Sequence, residues 1–134
     1  MQIPLIITLS LHVLSSVFWA GSSFTLARTG GLGGEKLFRP QMGAAVITIL
    51  TGAYLGHLVH AGAFGTAEKI LAVGGFTALV AAGVQGAIGG RAVRSLCNGT
   101  GDEAGARSRI AVAQRIAAML LAVTALCMGA ARYA

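Results

Sequence analysis

The sequence predicts an all-α integral membrane protein, a bundle of four transmembrane helices with both termini outside. Three observations predict it. Of 134 residues, 55% are hydrophobic and only 10% are charged, whereas a soluble domain carries about 25% charged residues. Four apolar stretches each supply the ~20 residues that cross a ~30 Å hydrocarbon core. The Lys and Arg residues collect on one side of those stretches. The mean hydropathy of +0.77 agrees, and together these observations argue against a soluble enzyme, a disordered tail or a secreted disulfide scaffold.

The first span covers residues 3–26 and contains no charge. Nothing basic precedes it and its apolar run is too long for a signal peptide, so it reads as a retained helix. The second span, 41–61, is also free of formal charge. The third covers 70–90. The fourth covers 110–131, with Arg115 near its start. The connectors are 27–40, a short turn over 62–69, and 91–109. The last contains Asn98-Gly99 and Asp102-Glu103, which are turn signals. A single membrane domain therefore occupies 1–134.

Charge sets the expected orientation. The net charge of +6 resembles that of a nucleic-acid binder. With only one Trp, two Tyr and five Phe, the chain lacks the readout surface such binding needs, and no nucleic-acid partner is expected. Arg28, Lys36, Arg39, Arg91, Arg94, Arg107, Arg109 and Arg115 lie on the side of the first and third connectors. Only Lys69 and Arg132 lie on the other. Cytoplasmic loops carry the excess of Lys and Arg. The chain is thus expected to be a multi-pass protein of a bacterial inner membrane, with periplasmic termini and Cys97 and Cys127 near opposite surfaces. Its partners are membrane lipid and, from small residues at four-residue spacing such as Gly52 and Gly56, neighbouring helices of the same bundle, a second copy or a larger complex.

Polar groups inside the bilayer are costly and few. His12 is the one ionisable group well inside the first span. Ser15, Ser16 and Trp19 share its helix face. One reading is an imidazole satisfied by a serine or a main-chain carbonyl. The other is a ligand to haem iron or a transition metal. His57 and His60, three residues apart near the outer end of the second span, share a face and either chelate a metal or simply sit at the interface. His57 is the deeper and the candidate partner of His12. Lys69, beside Glu68, is a boundary residue or a cation for an anionic group. Arg28 closes the first span as a positive-inside anchor. Cys127 and Met128 are soft donors near the outer end of the fourth span, or packing residues. Gln41, Gln85, Gln114 and Arg115 cluster toward the inner side, and the glutamines read as interhelical hydrogen-bond formers.

Leu11-His12 through Trp19, Ala20 and Gly21, ending at Arg28, resembles the first helix of two related membrane families. These are the HemJ-type protoporphyrinogen oxidases and the copper-resistance protein D (CopD) family. Pro40 to Gly56, with Thr51-Gly52, is similar to their second helix. Glu68-Lys69-Ile70-Leu71 is similar to the opening of their third. The resemblance implies a four-helix unit in which His12 is the ligand-type histidine and Lys69 the essential-type lysine. On the HemJ side it implies b-type haem and oxidoreductase chemistry on a porphyrinogen ring.

The leading expectation is a small haem b redox protein. His12 would be an axial ligand, with His57 the candidate second one. Trp19, Ser15 and Ser16 would line the pocket, and Lys69 or Arg28 would balance anionic groups. Copper handling through His57, His60, Cys127 and Met128 is the alternative. A non-catalytic accessory subunit of a larger membrane complex is the third reading.

Overall fold

A computed structural model describes residues 2–60, 62, 65–99 and 101–134, excluding the side chain of His60. The chain folds as α1 (Gln2–Arg28), α2 (Gly34–His60), α3 (Thr66–Val84), a π-helical turn (Gln85–Gly89), α4 (Gly90–Asn98) and α5 (Glu103–Ala131). The π turn joins α3 to α4 in one continuous rod. The segments Gln2–Arg28, Gly34–Val59, Thr66–Asn98 and Glu103–Ala131 are each long and apolar enough to cross a membrane. The protein is an all-α, multi-pass membrane bundle.

Its packing is inverted relative to a soluble core. Burial falls on small residues, among them Ala44, Ala45, Ala78, Ala81 and Ala117, grouped with Trp19 and Leu121. Large apolar side chains such as Ile3, Phe24, Phe76 and Leu126 point outward, where lipid solvates them. Without a hydrophobic drive between helices, close backbone approach and polar contacts hold such a bundle. Gly74 shows the first device: a Cβ there would stand 3.0 Å from the Cβ of Cys127 on α5. Thr124 shows the second, donating to the carbonyl of Gly74 at 3.1 Å. α3 lies along α5, α1 lies along α2, and α1 also packs on α5, whereas α2 and α3 touch sparsely.

The helices run past the expected spans at the charged end. The connector expected over 27–40 shrinks to 29–33, and that over 91–109 shrinks to 99–102. Charge limits the hydrocarbon-crossing stretch, but it does not stop a helix that continues into the headgroup region. α4 has Ala92 buried and Arg91 and Arg94 exposed, an amphipathic extension laid on α5. It ends at Gly99, φ +64°, and α5 starts at Asp102, whose carboxylate accepts from the Ala104 and Gly105 amides at 3.2 Å. At the same end the Arg107 guanidinium donates to both carboxylate oxygens of Glu35 at 3.2 Å and to the Gly31 carbonyl at 3.1 Å. This fork ties the α1–α2 turn to α5. Both cysteines are free.

Candidate functional site

A cavity of about 910 Å³ opens between α1, α2, α3 and α5, in the half of the bundle away from the charged turns. Its origin lies in residue size. Gly52 and Gly56 of α2 and Ala72 and Gly75 of α3 all line it, and α2 and α3 barely meet. Side chains this small cannot fill the space between the two helices. The volume lies within the ~300–1,000 Å³ of typical small-molecule sites, and the wall is apolar with few polar groups, as in such sites.

His12 is the notable polar group of that wall. It is only 9% exposed. Its Nδ1 lies 3.0 Å from the Thr48 carbonyl oxygen and 3.0 Å from Thr51 Oγ1, both on α2. A carbonyl only accepts, so Nδ1 carries the proton in this contact, and an Nδ1–H imidazole keeps its lone pair on Nε2. Among the described residues Nε2 has no hydrogen-bond partner. The ring lies flush on Gly52, where a Cβ would stand 3.0 Å from His12 Cε1. Gly52→Val is therefore expected to displace the imidazole and cost about 1–3 kcal/mol by overpacking. Unfolding in mild detergent measures this; a loss no larger than that of Gly43→Val, where a Cβ meets nothing within 4 Å, would count against the contact.

Trp19 also lines the cavity and is fully buried. Its indole N–H donates to Gln85 Oε1 at 2.6 Å. Gln85 Nε2 donates to Ser23 Oγ at 2.6 Å and to Gln114 Oε1 at 2.8 Å. Gln114 and Gln41 exchange two further bonds, at 2.9 and 3.0 Å, and Gln41 also donates to Ser22 and Ser23. One glutamine from each of α2, the π turn and α5 thus meets beneath α1, and Trp19 joins that network to the cavity. The glutamines are expected from sequence as interhelical bonds. Their link to Trp19 has no sequence signal beyond the presence of one uncharged polar amide in each of three apolar spans.

The remaining candidates are dispersed. Ser16 lines the cavity, whereas Ser15 accepts from Thr48 Oγ1 at 2.9 Å beside it. His57 is exposed and absent from the cavity wall, so the structure does not bring it to His12. The side chain of His60 lies outside the described residues. Lys69 is exposed at the mouth end, next to Glu68, which lines the cavity and accepts from the Gly65 amide at 2.8 Å. Arg28 lies at the opposite end, roughly 24 Å along α1 from His12, with its guanidinium 5.9 Å over the Phe24 ring. Met128 lines the cavity, whereas Cys127 packs on Gly74. Among the described residues no three His, Cys, Asp or Glu side chains gather as a metal site. No family model, curated protein or solved structure matches the chain.

Proposed function

We propose that the protein is a small haem b-binding redox protein of a bacterial inner membrane, with the end carrying Arg28, Lys36, Arg91 and Arg107 in the cytoplasm and the cavity in the periplasmic half. One observation carries the reading: a nine-tenths buried histidine on the wall of an apolar cavity has Nδ1 anchored and, among the described residues, no partner at Nε2. Metal-ligating histidines characteristically donate their other ring N–H to a carbonyl or carboxylate, which fixes the tautomer and strengthens the donor. The resemblance of Leu11 to Arg28 to the HemJ type agrees with this assignment. Single histidine ligation is a standard way to hold haem iron.

The residues present fit the group. His12 would hold the iron through Nε2. Thr48 and Thr51 orient its ring, and Gly52 lets the ring lie close to α2. The apolar faces of Gly75, Ala78 and Leu121 suit a porphyrin and exclude water. Lys69 is the cation available to propionates at the mouth end, a role Arg28 is too distant to share. Bound haem supplies a one-electron couple, which suits electron transfer or oxidation of a porphyrinogen-like or quinol substrate.

A reduced-minus-oxidised spectrum of the purified protein tests the proposal. A Soret band is expected in the wild type, lost in His12→Ala and retained in His57→Ala. A colourless wild type supplied with haem, or a band indifferent to His12, would reject it. Copper analysis of the same preparation tests the alternative cargo, for which the described residues offer no gathered donor set.

A further inference from the structure

We infer that the cavity opens sideways into the bilayer between α2 and α3, that a lipid acyl chain fills it when no other molecule does, and that any ligand of the site enters by the same route. The wall itself carries this. Thr48, Ala78 and Leu121 line the cavity and are buried, whereas Ala53 on α2 and Ala72, Gly75 and Leu79 on α3 line it and are exposed. The exposed members mark the open side, and they face one another across the gap where α2 and α3 touch sparsely. Val17 and Ala125 are exposed wall residues on the other flank, but there α1 packs on α5. The gap lies within two segments long and apolar enough to cross a membrane, Gly34–Val59 and Thr66–Asn98. The cavity is therefore continuous with the lipid-facing surface on which Leu50 and Phe76 stand exposed. Deeper in, Trp19, Ala78 and Leu121 pack together and close its inner end.

Wall chemistry selects the occupant. An apolar wall that faces empty space forfeits its dispersion contacts. Water is retained only where it finds about two to four polar partners, and this wall is apolar with few polar groups. An acyl chain restores the contacts and needs no hydrogen bond. Gly75 adds a second observation. A glycine inside a helix costs about 1 kcal/mol relative to alanine. Gly74 offsets that cost by its approach to Cys127, and Gly52 by seating the His12 ring. Among the described residues, a Cβ on Gly75 would meet nothing within 4 Å. What its missing side chain leaves free is space at the doorway.

Photolabelling of the full chain in phosphatidylcholine vesicles tests this. Part of the lipid carries a diazirine at the end of one acyl chain. Haem is left out, so the outcome is independent of the haem reading. Mass spectrometry is expected to find label on Thr48, Ala78 or Leu121, which only the cavity reaches, as well as on outward-facing Leu126. Ala53→Phe combined with Gly75→Phe, one from each side of the gap, should cut the inner label several-fold and leave Leu126 labelled as before. Gly43→Phe, at an exposed position off the cavity wall, should change neither. Wild-type label confined to outward-facing residues overturns the inference, a result read on the unaltered protein. So does inner label that the paired phenylalanines leave unchanged, or that Gly43→Phe cuts equally.

Discussion

Gln85→Leu is expected to cost the bundle about 1–3 kcal/mol, measured by reversible unfolding in mild detergent. The residue is fully buried and bonds Trp19, Ser23 and Gln114. An interhelical hydrogen bond in a membrane protein averages about 0.6 kcal/mol and reaches about 1.7, because freed groups find other partners. The outcome therefore depends on which partners can adapt. Ser23 already donates to the Trp19 carbonyl, and Gln114 already accepts from Gln41. Both keep a bond when Gln85 is gone. The indole N–H of Trp19 has no such reserve, since its ring is packed in place and Gln85 is its partner. The penalty should concentrate there. Trp19→Phe removes the donor, so Gln85→Leu in that background should cost about 1–2 kcal/mol less than alone. Equal costs in both backgrounds would show that the Trp19–Gln85 bond contributes nothing.

Gly31→Val is expected to cost about 3 kcal/mol, from two sources that a control separates. Gly31 has φ +86°, a left-handed conformation that a β-branched residue adopts only under strain. A Cβ there would also stand 2.6 Å from the Arg107 carbonyl oxygen, a backbone atom in α5 that cannot rotate aside. Gly30 has φ +68° with nothing within 4 Å of a Cβ, so Gly30→Val carries the conformational cost of about 1–2 kcal/mol alone. The excess at Gly31 measures how closely the α1–α2 turn sits on α5. The same displacement should break the fork from Arg107 to Glu35, so Arg107→Ala should add little in the Gly31→Val background. If the two glycine variants lose equal stability, the close approach has no energetic weight.

The spans were legible because a charge in hydrocarbon is costly, and that cost leaves a visible record in composition. The helix ends were not. Arg91, Arg94, Glu35 and Lys36 mark where the apolar slab stops, and a hydrogen-bonded helix has no reason to stop with it. His12 stood out in the sequence for the same reason as the spans, since depth makes idle polarity expensive, and the structure places it buried on the cavity wall. Its pairing with His57 was not, because pairing depends on the rotational phase of α2. The face of α2 that meets the cavity carries Thr48, Gly52, Gly56 and Val59, and His57 falls outside it. Gly52 and Gly56 read as a helix-packing stripe; in the structure the first makes room for an imidazole and both leave a void. The clustering of Gln41, Gln85 and Gln114 toward the inner side was legible from their places in the spans, but nothing along the chain shows that they bond one another and that Gln85 accepts from Trp19.

Trp19 is the sole tryptophan of the chain, and it stands where the cavity and the glutamine network touch. Its fluorescence therefore originates at a single point in the bundle. An occupant that absorbs near the indole's emission would quench it, and loosening of the amide network would shift its wavelength. The molecule thus carries its own optical probe at the junction between what holds the helices together and what they enclose.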